Sequence, residues 1–127
     1  MREIKFRVWD KTADKFRDLM VYDVKNGKVV VRFPIETLKK GEYQLEQYTG
    51  LKDKNGKEIY EGDIAKFKNF NNKLMVGEIK YSTEDAMFRL EYTNNSGYQD
   101  WDYASRFNLE IIGNIHENPE LLEDKNE

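Results

Sequence analysis

Cysteine is absent from this chain of 127 residues, so neither a disulfide framework nor a thiolate zinc site can form. Histidine occurs once, at His116, which leaves too few imidazoles for a histidine-rich metal site. No apolar run approaches the roughly 18 residues a spanning helix needs. The N-terminal MREIKFRVWD lacks the apolar core of a signal peptide. These absences predict a cytoplasmic protein without a membrane partner. Glycine-rich phosphate loops are missing too. Gly50, Gly56 and Gly62 are evenly spaced, and none opens a long helix whose N-terminus would hold an anion. Ser82, Ser96 and Ser105 sit outside any Gly-x-Ser-x-Gly elbow, so no serine nucleophile is indicated. The sequence therefore predicts no catalytic residue, no cofactor and no metal.

What is present is polar but foldable. Apolar residues make up 39% and charged residues 35%, while aromatics reach 13%, more than disordered chains carry. The length predicts a single domain over residues 1–127, with a thin, aromatic-rich core. Net charge is −3 and uneven. Residues 1–64 carry 14 Lys/Arg against 12 Asp/Glu, or +2; residues 65–127 carry 7 against 12, or −5. Much of the acidic excess follows His116. That balance does not suit a protein that binds nucleic acid through bulk phosphate neutralisation, although it leaves room for a local basic face.

Period-two alternation dominates the chain, with turn residues between short runs. In EIKFRVW, Ile4, Phe6 and Val8 alternate with Glu3, Lys5 and Arg7. Trp9 falls on the polar side of that strand and hints at a second packed surface. Asn26-Gly27 and Asn55-Gly56 each read as a two-residue hairpin turn, in which both positions take positive φ. EYQLEQYTG reads as a strand with Tyr43, Leu45 and Gln47 on one face. LMVGEIKY and AMFRLEY form a hairpin around STED, with Phe88, Leu90 and Tyr92 on one face. IETLKKG reads as one helical turn. ENPELLEDK starts a short helix, with Asn118 as cap and Pro119 at the first helical position. About eight strands at this spacing predict a mainly β fold, a small antiparallel barrel-like or sandwich domain with one or two short helices. Gly62-Asp63-Ile64 leading into a strand gives the region a partly SH3-like look.

Three motifs carry a resemblance. IKFRVWD near the start, QYTGLKDKNGKEIYEGDI in the middle and EIIGNIHENPELL at the end together resemble the YopX-like proteins of phages and prophages of Firmicutes. His116 stands where that pattern more often has an aromatic, and residues 66–108 are the least similar part. The resemblance implies a small phage- or prophage-encoded intracellular protein of unestablished biochemical function. It implies no catalytic residue.

Four carboxylates, Asp53, Glu58, Glu61 and Asp63, are the obvious chemical candidates, since paired carboxylates bind Mg²⁺ or act as acid and base. Here they alternate with Lys52, Lys54 and Lys57, as on a solvated hairpin. The structural reading makes Asp53, Asn55, Gly56, Gly62 and Asp63 turn-forming residues, with Asp53 capping a turn and Asp63 accepting backbone N–H bonds at the Gly62 bend. Of the aromatics, Trp9, Tyr98, Trp101 and Tyr103 form a candidate interaction surface. The first functional expectation is a non-enzymatic module that self-associates or binds a protein. The alternative is a nucleic-acid-binding accessory protein of phage genome handling, using Arg2, Lys5, Arg7, Lys39, Lys40, Lys66 and Lys68. A metal-dependent enzyme built on the Asp53–Asp63 carboxylates ranks third.

Overall fold

The computed structural model describes residues 5–17, 21–25, 28–32, 41–93, 97–100 and 108–123. Among these the chain is mainly β and antiparallel, with eleven strands and a single turn of 3₁₀ helix at Pro119–Leu122. It divides into two compact units, Lys5–Gln47 and Tyr48 onward.

In the first unit, β1 (Phe6–Asp10) pairs with β2 (Lys15–Arg17) on one side and with the first half of β5 (Tyr43–Lys52) on the other. Asp10 Oδ1 closes the β1–β2 turn by accepting the Thr12 N–H and hydroxyl at 2.9 and 2.6 Å. A separate hairpin joins β3 (Val21–Lys25) to β4 (Lys28–Arg32), with Lys25 opposite Lys28. That register leaves Asn26-Gly27 as the connection, as the sequence predicts; the two residues themselves lie outside the described ones.

β5 follows its alternation, but its buried side is the polar one. Leu45 is 37% exposed while Glu46 is 1% exposed. The reason lies on β1, where Arg7 sits opposite Glu46 and binds it at 2.8 Å. Arg7 also stacks over the Phe16 ring at 4.4 Å. Trp9 lies on that same face and meets Phe16 edge-on, with centroids 4.9 Å apart. Arg7, itself packed on Phe16, and the Gln44 side-chain amide, which donates to Glu46 Oε2 at 3.3 Å, thus satisfy a carboxylate that hydropathy alone would leave in water.

In the second unit, the latter half of β5 pairs with β6 (Glu58–Tyr60). β7 (Asp63–Lys68), β8 (Leu74–Ser82), β9 (Met87–Tyr92), β10 (Tyr98–Asp100) and β11 (Glu110–Asn114) form one curled, half-barrel-like sheet in the order β10-β9-β8-β7-β11. Ala65, Phe67, Ile79, Leu90 and Ile111 of this sheet form one core cluster with Leu109 and with Ile59 of β6. Phe88 and Leu90 face in, as the alternation predicts, while Arg89 and Glu91 face out into ion pairs. Gly77 is required by packing: a Cβ there would collide with the Glu91 carbonyl on β9.

Two local readings are corrected. Asn55 does not take positive φ; only Gly56 does, at +84°. The Asn55-Gly56 connection is therefore not a two-residue hairpin but a longer turn held by Asp53. The C-terminal helix is one 3₁₀ turn, and Asn118 does not cap it. Its side chain turns back to accept the Asn114 N–H at 3.3 Å. The segment TNNSGYQDWDYASRF supplies strand β10 at Tyr98–Asp100. IETLKKG lies outside the described residues up to Lys40.

Candidate interaction surface

Two turns at one end of the second unit share a single hydrogen-bond plan. In Asp53–Lys57, Asp53 Oδ1 accepts the Asn55 and Lys57 N–H groups, both at 2.9 Å. The Asp53 N–H donates to the Lys57 carbonyl at 2.7 Å, and the Gly56 N–H donates to the Asp53 carbonyl at 3.0 Å. In Asn69–Lys73, Asn69 Oδ1 accepts the Asn71 and Lys73 N–H groups at 2.9 and 3.0 Å. The Asn69 N–H donates to the Lys73 carbonyl at 3.0 Å, and the Asn72 N–H to the Asn69 carbonyl at 2.9 Å. The fourth residue is left-handed in both, Gly56 at φ +84° and Asn72 at φ +61°. Gly and Asn are the residues that tolerate this region. The sequences DKNGK and NFNNK thus encode the same turn.

The turns differ in two bonds. Asp53 Oδ2 accepts the Ile111 N–H of β11 at 3.0 Å, and the Lys54 N–H donates to the Leu109 carbonyl at 3.0 Å. The first turn therefore covers the outer edge of β11. Burial pushes the Asp53 carboxyl upward, but N–H bonds from Ile111, Lys57 and Asn55 outweigh it, and its pKa falls below 3.8.

Among the described residues the second turn has no hydrogen bond to β11; it carries Phe70, which is 82% exposed. Beside it Leu74 is 55% exposed. Between the two turns and β11 runs a groove of about 340 Å³, lined by Lys54, Lys66, Lys68, Phe67, Leu74 and Glu110. Glu110 is held by Lys54 at 3.1 Å and Lys66 at 3.9 Å. A smaller recess of about 160 Å³ adjoins it, with Leu51 and Lys52 on its wall. The surface is thus apolar at its centre and cationic at its rim.

The predicted residues distribute as follows. Asp53 and Asn55–Gly56 build the first turn. Gly62, at φ +84°, donates its N–H to the Ile79 carbonyl and accepts the Ile115 N–H, both at 2.9 Å. Asp63 is buried and its Oδ2 accepts the Tyr60 N–H at 2.8 Å. Glu58 accepts the Tyr60 hydroxyl at 3.2 Å. Among the described residues, no group of three or more His, Asp or Glu side chains converges to hold a metal. His116 gives its backbone N–H to Asn114 Oδ1 at 3.0 Å, within the turn after β11.

Of the four candidate aromatics, Trp9 is only 6% exposed, inside the first unit, and offers no anchor to a partner. Tyr98 is 48% exposed, under the Arg89 guanidinium at 4.3 Å. Arg89 and Lys80 both bind Glu91, at 2.6 and 2.8 Å. The Lys80 hydrogen bond is the largest influence on the Glu91 carboxyl and, with Arg89, holds it below its usual range against the effect of burial. Trp101 and Tyr103 lie outside the described residues. Phe70, the most exposed large apolar side chain described, is not among the predicted four. The signal that finds it is the repeat of the DKNGK spacing in NFNNK.

A family profile described as YopX protein matches residues 5–123. The chain is similar to two solved structures. Protein EF1440 from Enterococcus faecalis is 29% identical, with a TM-score of 0.63, covering 97% of this chain and 100% of that one. Protein yopX from Bacillus subtilis is 24% identical, with a TM-score of 0.62 over 99% of this chain and 100% of that one. Nothing matches among the curated proteins. No helix among the described residues is long and apolar enough to cross a membrane.

Proposed function

The chain belongs to the YopX protein family, and from that premise we propose that it is a phage- or prophage-encoded interaction module that works by docking a protein partner, without catalysis. The observation that carries this reading is Phe70, 82% exposed on a turn ordered by Asn69 Oδ1, which accepts the Asn71 and Lys73 N–H groups. A large aromatic ring kept in water is unfavourable for the free protein and favourable for a complex. A turn already ordered loses little further entropy on binding, so its side chain makes an efficient anchor. Leu74 extends the apolar centre, and Lys54, Lys66 and Lys68 frame it with positive charge. That frame favours an acidic partner and sets the approach of the two surfaces.

The test is photo-crosslinking inside cells that carry the gene. A benzophenone amino acid replaces Phe70 in one variant and the exposed Glu84, on the β8–β9 turn, in a control. Discrete protein adducts at position 70 and none at 84 are expected. Identical adducts at both positions, or adducts to nucleic acid alone, would overturn the protein-docking reading.

A further inference from the structure

We propose that the lysine-rimmed groove receives the acidic segment Glu117–Glu123 of a second copy of this chain, so that copies join head to tail. This rests on the docking reading above and names its occupant. Glu117, Glu120 and Glu123 are all exposed, and no lysine or arginine interrupts them. Between them Leu121 and Leu122 are half-buried and supply the apolar part that Phe70 and Leu74 would meet. Opposite charges around a central apolar contact match the groove in both respects. Neither Lys68, which lines the groove, nor Lys73, next in sequence to the lining residue Leu74, nor Glu120 nor Glu123 on the segment, is ion-paired among the described residues.

The two surfaces lie at opposite ends of the same strand. β7 starts at Asp63, paired with Asn114 just before the acidic segment, and ends at Lys68 on the groove. At about 3.3 Å per residue that separation is roughly 17 Å. The segment Glu117–Glu123 is further tethered at its start, since Asn114 Oδ1 accepts the Glu117 N–H at 2.9 Å. A copy therefore does not fill its own groove with this segment, and another copy can. Because the two patches differ, a single contact leaves one groove and one segment free, and these either close on each other in a reciprocal pair or continue into rings or rows.

The experiment is analytical ultracentrifugation of the full chain over a range of concentrations, at low and at physiological salt. The wild type should sediment faster as concentration rises, and less so in salt. Lys68→Glu with Lys73→Glu, and separately Glu120→Lys with Glu123→Lys, should each weaken association at least about tenfold. The quadruple variant, with both sets exchanged, should regain it. Thermal melts by circular dichroism establish that each variant is folded. A strictly monomeric wild type overturns the proposal, as do reversed variants that still associate or a folded quadruple variant that stays monomeric. A monomer that still crosslinks a different protein at position 70 sinks the head-to-tail contact and leaves the docking reading standing.

Discussion

Asp53 and Ile111 stand 58 residues apart and are joined by one hydrogen bond, 3.0 Å from the Ile111 N–H to Asp53 Oδ2. The bond explains why the first turn uses aspartate and the second asparagine. Asn69 has one oxygen and needs one, since its acceptors' work ends within its own turn. Asp53 needs two, because its second oxygen serves β11. Asp53→Asn would keep the turn and turn an amide N–H₂ toward the Ile111 N–H. A buried donor left facing a donor costs about 2 kcal/mol. Asn69→Asp should change stability by less than about 0.5 kcal/mol, as exposed substitutions do. Urea denaturation midpoints at neutral pH measure both.

The same carboxylate predicts an acid response. Its folded pKa lies below 3.8, so its contribution is fully present above that value and is lost as pH falls through the folded pKa. The wild type should lose stability relative to Asp53→Asn as pH is lowered below 3.8. Glu91 acts in the same direction, starting below its usual 4.5, and Glu91→Gln should remove that part of the slope. Equal slopes in wild type and both variants would contradict the assignment. Salt separates the two: the half-exposed Glu91 pairs should weaken with ionic strength, while the buried Asp53 bonds should not.

Gly77 carries a different kind of constraint, set by distance between strands and not by backbone angle. Any side chain there meets the Glu91 carbonyl across the β8–β9 pair, and the strands would have to part. Gly77→Ala should cost about 3 kcal/mol, at the upper end for overpacking, or prevent folding. The measurement is the same urea midpoint. A variant as stable as wild type would mean the β8–β9 pair relaxes freely at this point.

The β character of the chain was legible because its alternation is strong where it counts. Phe88 and Leu90 against Arg89 and Glu91 could be read directly, and so could the Asn26-Gly27 register. β5 could not be read so far. Hydropathy favours Leu45 over Glu46 inside, and the reversal depends on Arg7, which reaches Glu46 from 39 positions away. Trp9 was legible as a second packed face, but not as one covered from within its own unit by Phe16. The surface was hardest. Phe70 looks like an isolated apolar residue in a polar loop until the Asn69 turn is matched with the Asp53 turn. What marks it is the pattern of acceptors around it, which hydropathy does not register.

That contrast leads to a prediction about Phe70 itself. Its ring contributes little to the folded state at 82% exposure, whereas Leu90 is 0% exposed in the core cluster. Leu90→Ala should lower stability by about 3 kcal/mol, the usual cost of a buried leucine truncated to alanine. Phe70→Ala should shift it by less than about 0.5 kcal/mol. Yet Phe70→Ala should reduce concentration-dependent sedimentation by about tenfold, because an aromatic anchor at the centre of a contact carries more than its rim. Denaturation and ultracentrifugation on the same preparation decide the matter. A Phe70→Ala variant that melts early would assign the ring to folding. One that associates as wild type does would remove it from the docking surface.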